Sequence, residues 1–168
     1  MKTKNRRSPA HLYACLILTG LLLVAVIVNI YENLAIGVTH YTLANAKLPV
    51  DFEGFRVVQL SDIHMITSPS EAQIIYQKTL KQHPDIIALT GDLVDTSGYN
   101  NEEYRTMTVD FCRELCTIAP VYYVYGNHEI MLLDDPENNT FKCQLESVGV
   151  QIFNNSHTTI TKDGMTFE

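Results

Sequence analysis

Three short clusters in this sequence carry side chains that bind metals or move protons. Ser61-Asp62-Ile63-His64 offers a carboxylate and an imidazole two residues apart. Side chains at that spacing project from the same side of an extended chain and can serve one ion. In Gly91-Asp92-Leu93-Val94-Asp95 the glycine allows a sharp backbone turn, and a carboxylate with two oxygens lets Asp92 bridge two ions. Gly126-Asn127-His128-Glu129 adds a neutral carbonyl oxygen from Asn127, a ligand for the second ion, and the imidazole of His128. An imidazole ordinarily titrates near ~6.5, which suits His128 to protonating a leaving alcohol or stabilising phosphoryl oxygens. Asp95 would hold that ring in the needed tautomer, and Glu129 would orient the loop rather than bind metal. Mixed oxygen and nitrogen donors fit two borderline divalent ions such as Mn, Fe or Zn. Two such ions polarise a phosphoryl group for in-line attack by activated water. Each cluster alone is a weak signal, because Gly-Asp and Gly-Asn are also ordinary turn dipeptides. Their conjunction, in order, carries the weight.

The elements that must position these clusters repeat as strand, loop and helix. Residues 36–43 (IGVTHYTL) alternate and are β-branched, and so predict a first strand. Residues 56–60, 85–89 and 121–125 are short apolar strands, and each runs directly into one of the clusters. Between them a helix opens near Ser70 and Gln73 with capping-box spacing, and His83-Pro84 stops it. A second, over about 101–119, places Tyr104, Met107, Phe111, Leu115 and Ile118 on one face. A third follows Pro136, carries Phe141, Leu145 and Val148, and ends at Gly149. A strand over 150–153 and a hairpin about Lys162-Asp163-Gly164 close the pattern. Continuous apolar strands alternating with helices predict an α/β fold with a mainly parallel sheet covered on both faces. Ligands in such sheets gather at the carboxyl ends of the strands, where all three clusters fall.

Length and charge narrow the field. At 168 residues the chain has room for one ordinary domain, with 46% apolar residues to fill a core. From Tyr31 onward eight basic residues face nineteen acidic ones, a formal −11. That balance argues against a nucleic-acid backbone as the main partner, since such affinity comes largely from Lys and Arg. Cys15, Cys112, Cys116 and Cys143 form no disulfide framework.

The N-terminus reads differently. Residues 12–30 (LYACLILTGLLLVAVIVNI) contain no charge and roughly match a ~30 Å hydrocarbon layer. Lys2, Lys4, Arg6 and Arg7 precede them, so residues 1–11 form a cytoplasmic basic tail under the positive-inside rule. The expectation is a single-pass membrane anchor over 12–30, uncleaved because its apolar run exceeds that of a signal peptide. The domain over 36–168 would then lie outside the cytoplasmic membrane.

Taken together, Ser61-Asp62-Ile63-His64, Gly91-Asp92-Leu93-Val94-Asp95 and Gly126-Asn127-His128-Glu129 resemble the first three motifs of the calcineurin-like metallophosphoesterases. The anchor followed by VTHYTLANAKLPVDFEGFRVVQLSDIH is similar to the membrane-anchored bacterial branch of that superfamily. The resemblance implies an α/β/β/α sandwich around two sheets and a dinuclear metal centre. It places Asp62, His64 and Asp92 on the first metal, Asp92 and Asn127 on the second, and makes His128 the catalytic histidine supported by Asp95. It further implies hydrolysis of phosphomonoesters, phosphodiesters or pyrophosphates, with lipid-linked substrates such as UDP-2,3-diacylglucosamine expected for an anchored enzyme. The family's downstream histidine and its Gly-His-x-His motif do not occur in these residues, and His157 matches neither. The chain also stops inside a strand-like pattern. The expectation is that it holds the N-terminal part of an incomplete domain and turns over little alone. A binding or structural module without catalysis, and a nuclease, are the alternative readings.

Overall fold

The computed structural model describes residues 9–34, 36–64, 66–131, 136–162 and 165–167. The chain divides into two units, Met1–Thr39 and His40–Glu168. The first is carried by helix α1 (Pro9–Leu34), whose segment Pro9–Asn29 is long and apolar enough to cross a membrane. At 1.5 Å per residue those 21 residues span about 31 Å.

The second unit is mixed α/β. Strands β1 (Val57–Leu60), β2 (Ile86–Thr90), β3 (Val121–Val124) and β4 (Gln151–Phe153) form one parallel sheet in the order β1-β2-β3-β4. Val57 pairs with Ile86, Ile87 with Val121, and Tyr122 with Gln151. The long crossovers are α2 (Pro69–Leu80), α4 (Glu102–Cys116) and α6 (Pro136–Ser147), with short α3 (Thr96–Tyr99) and α5 (Asn127–Met131) opening the second and third connections. An antiparallel pair, β5 (Ile160–Lys162) and β6 (Met165–Phe167), follows. Lys162 Nζ lies 4.0 Å from Asp85 Oδ1, which ties β5 to the residue just before β2.

Three expectations change. Residues 36–43 form no strand and are exposed; the alternation is there, but among the described residues no neighbour supplies the ladder. The α2 cap sits two residues earlier than its sequence spacing implied. Ser68 Oγ accepts from Glu71 N at 3.2 Å, Pro69 takes the first turn, and Glu71 Oε2 accepts from Thr67 N at 3.0 Å. Proline wins that position because its fixed φ and missing N–H cost nothing there. Third, the sheet is not closed equally on both sides. Strands in simple succession with right-handed crossovers send their helices to one face, and α4 packs against both α2 and α6. Ile87, Leu89, Val121 and Tyr123 are buried on one side of the sheet, joined by Phe111 and Leu115 of α4. The alternate residues are less covered: Val57 is 54% exposed and Val124 42%.

The helix ends are well marked. Asn101 Oδ1 accepts from Glu103 N and Tyr104 N to cap α4. Gly149, at φ +106, ends α6, with Gly149 N donating to Glu146 O and Val150 N to Leu145 O. All these devices leave the carboxyl ends of β1, β2 and β3 side by side.

Candidate metal centre

The bonding of β1 to β2 continues beyond both strands. Asp62 N donates to Gly91 O at 3.2 Å, His64 N to Asp92 O at 2.7 Å, and Asp95 N to His64 O at 2.6 Å. The first two clusters are thus laced together through their backbones. The conformation is not the extended one assumed for Asp62-x-His64. Asp62 (φ 54), His64 (φ 59) and Asp92 (φ 49) all occupy the left-handed region. Non-glycine residues enter that region at a cost, and such residues collect at functional sites. Ser61 Oγ sits 2.7 Å from Asp62 Oδ2 and 3.1 Å from Thr90 O, holding the exposed Asp62 carboxylate near the sheet edge.

Between β2 and β3 the two glycines have a stricter role than turning the chain. A Cβ on Gly91, at φ +93, would stand 2.8 Å from Gly126 Cα. One on Gly126 would stand 2.1 Å from Asp92 Oδ1 and 2.4 Å from Asp92 N. No side chain fits either place, so the loops carrying Asp92 and His128 touch backbone to backbone. Asp92, only 7% exposed, accepts through Oδ1 from His128 N at 3.1 Å. Glu129, 2% exposed, accepts from Asp92 N and Gly126 N through Oε2 and from Val94 N through Oε1. Burial, followed by the charge of Glu129, pushes the Tyr123 phenol well above its ordinary range.

The result is a tight group. One ligand atom each from His64, Asp92 and His128 lie within 4.8 Å of one another. The His64 and His128 rings meet edge to face with centroids 5.1 Å apart. His128 Nδ1 is buried and has no hydrogen-bond partner among the described residues, a position that is unfavourable unless something else satisfies the nitrogen.

The calcineurin-like phosphoesterase profile matches residues 55–163. The chain belongs to that family. Members of the calcineurin-like family are hydrolases acting on phosphoester bonds and use divalent metal ions. Relatives include the uncharacterized metallophosphoesterase YkuE of Bacillus subtilis, 26% identical over 93 residues, 54% of this chain and 32% of the relative. A transmembrane protein with metallophosphoesterase domain from Danio rerio is 29% identical over 113 residues, 66% of this chain and 24% of that protein. The chain therefore spans about a quarter to a third of the length of these two relatives. Among solved structures, the Pseudomonas putida nuclease MPE is 14% identical with a TM-score of 0.41, covering 60% of this chain and 48% of that one.

The donor set fits the family's divalent ions. Two imidazoles and a carboxylate at this spacing offer N and O donors of the borderline kind, and the unpaired His128 nitrogen is the kind of atom a metal or phosphoryl oxygen would satisfy. The other sequence candidates are placed differently. Asp62 is exposed at the end of β1 and stands outside the 4.8 Å trio. Asn127 is exposed at the first position of α5. Asp95 Oδ1 accepts from Gly98 N at 2.7 Å and so caps α3; its bond to His128 is not seen. What sequence reasoning missed was the contact of Gly91 with Gly126. A glycine before a chemical residue at two neighbouring strand ends was its signal.

Proposed function

We propose that this chain supplies one side of a dinuclear metal centre in a membrane-tethered phosphoester hydrolase. The reading rests on one observation: His64, Asp92 and His128 converge within 4.8 Å at the ends of adjacent parallel strands. In this reading His64 and Asp92, with Asp62 at the edge, hold the first ion, while Asp92 and Asn127 hold the second. The ions would supply Lewis-acid activation of the phosphoryl group and of water. His128, in the trio with Asp92, would donate a proton to the leaving oxygen or a hydrogen bond to a phosphoryl oxygen. Asp95 would act on that ring after rotating from its capping bond.

The single apolar helix before the domain supports tethering, with the N-terminus cytoplasmic and residues 36–168 outside the membrane. That address favours lipid-linked or envelope phosphoesters, UDP-2,3-diacylglucosamine-like compounds among them. The −11 body weighs against a polynucleotide substrate. Because the family's later histidine motifs do not occur in these residues, the 168-residue chain alone would lack most of the nitrogen ligands, bind metal weakly and turn over little. The test is Mn-dependent hydrolysis of a bis(p-nitrophenyl) phosphate and lipid-diphosphate panel, alongside metal analysis. Manganese bound by the chain and lost in Asp92→Asn supports the centre. Robust turnover by the chain alone would refute the half-site reading, and absence of any bound metal would refute the centre.

A further inference from the structure

Glu129 has no part in the chemistry above, yet it is the more deeply buried of the two buried carboxylates among the described residues, 2% exposed against 7% for Asp92. No ion pair to Lys or Arg compensates either one among those residues. A buried carboxylate without a cation is costly unless its oxygens are fully hydrogen-bonded. Here the bonds go to three backbone N–H groups, and their identity is informative: Asp92 N at 3.0 Å, Gly126 N at 2.9 Å and Val94 N at 3.1 Å. One donor belongs to a metal-ligand candidate, and another to the glycine that touches it. Asp92 Oδ1 in turn accepts from His128 N at 3.1 Å, and His128 is covalently joined to Glu129. The circuit closes on itself. It clamps Asp92 in its left-handed conformation and sets the His128 ring beside it. It also leaves a second buried carboxylate bonded to the Asp92 amide behind the trio, with no Lys or Arg paired to it among the described residues.

We propose that Glu129 is a positioning residue of the metal centre: its buried carboxylate holds Asp92 and His128 in ligand geometry, and its uncompensated charge behind them raises the affinity of the His64, Asp92 and His128 trio for a divalent cation. The inference rests on the metal-centre reading above. The probe is Mn²⁺ itself, titrated into the full 168-residue chain in detergent micelles and followed by the loss of the free-ion electron paramagnetic resonance signal. Circular dichroism confirms that each protein is folded at the titration temperature. A side-chain amide cannot accept at both ends, so Glu129→Gln is expected to weaken Mn²⁺ binding about 10- to 100-fold, the range found when outer partners of metal ligands are removed. A residue with a purely structural role would lower the melting temperature and leave the affinity of the folded protein alone; that result overturns the proposal. Should Glu129→Gln not fold, Glu129→Asp keeps the charge but is too short for all three donors, and unchanged Mn²⁺ binding in that variant overturns it equally. A wild-type chain that binds no Mn²⁺ removes the metal-centre reading and this proposal together, an outcome distinct from wild-type binding that Glu129→Gln leaves intact.

Discussion

The end of β1 and the ends of β2 and β3 both deliver metal-ligand candidates, but they are built in different ways. At β2 and β3 the ligand loops are pressed together through two glycines, and Asp92 is buried under a clamp of backbone bonds to Glu129. At β1 the Asp62 carboxylate is exposed and steadied by the hydroxyl of Ser61, with two left-handed residues within three positions. One side is preorganised by packing, the other by backbone pairing at the surface. The difference implies that damage to the first side should unfold or empty the site, whereas damage to the second should tune it.

The comparison is tested hardest at Gly126. Gly126→Ala would force a methyl group into the space of Asp92 Oδ1, 2.1 Å away, with backbone just behind. Overpacking of a filled site typically costs about 1–3 kcal/mol, and a backbone obstacle puts this variant at the upper end. The expected outcome is a loss of about 3 kcal/mol in urea unfolding together with loss of Mn²⁺ binding. A stable, metal-binding Gly126→Ala would show that the two loops are not rigidly apposed.

Next in size is Asp92→Asn. The change keeps shape and the acceptor for His128 N but removes the charge at the centre of the trio. Mn²⁺ affinity should fall by more than about 100-fold, beyond the range for outer partners, while the chain remains folded by circular dichroism. Equal losses for Asp92→Asn and Asp62→Asn would erase the contrast between the two sides.

How much of this was legible in the sequence follows from the range of the forces involved. The strand cores at 85–89 and 121–125 and the helical face of Phe111 and Leu115 were readable because periodicity reports burial directly. Gly149 was readable because an αL cap is a local event. The 36–43 segment misled, since alternation records a preference for a sheet but not the presence of a partner strand. His64, Asp92 and His128 were found as chemistry, but the reason they meet was not. It lies in positive φ angles at Asp62, His64 and Asp92 and in a glycine-to-glycine contact across 35 residues of chain, which no local pattern encodes. Asp95 shows the same limit, because a carboxylate three residues before a glycine amide is a cap whatever else lies nearby.

The left-handed residues give a smaller test with a sign of its own. An L residue in that region costs on the order of 1 kcal/mol relative to glycine, partly offset by the entropy glycine loses on folding. His64→Gly and Asp62→Gly should therefore leave the metal-free chain as stable as before or more stable, by up to about 1 kcal/mol in thermal or urea melts. Both should weaken Mn²⁺ binding, His64→Gly the more. Destabilisation by either variant would mean that the side chains contribute to the fold.

The smallest effect belongs to Ser61. Its Oγ is 2.7 Å from Asp62 Oδ2 in an exposed setting, where a hydrogen bond to a charged group is worth little against competing water. Ser61→Ala should shift stability by no more than about 0.5 kcal/mol, as expected for a surface substitution. If pairing of the backbone, through Asp62 N to Gly91 O and His64 N to Asp92 O, is what sets the β1 side, the Mn²⁺ affinity of Ser61→Ala should stay within about threefold of the parent. A threefold change is ~0.65 kcal/mol, about the size of one weak exposed bond. A loss as large as that of Glu129→Gln would place the hydroxyl on the same footing as the buried clamp. The two sides of the site would then be held by side-chain hydrogen bonds of equal consequence, and burial would cease to explain their difference.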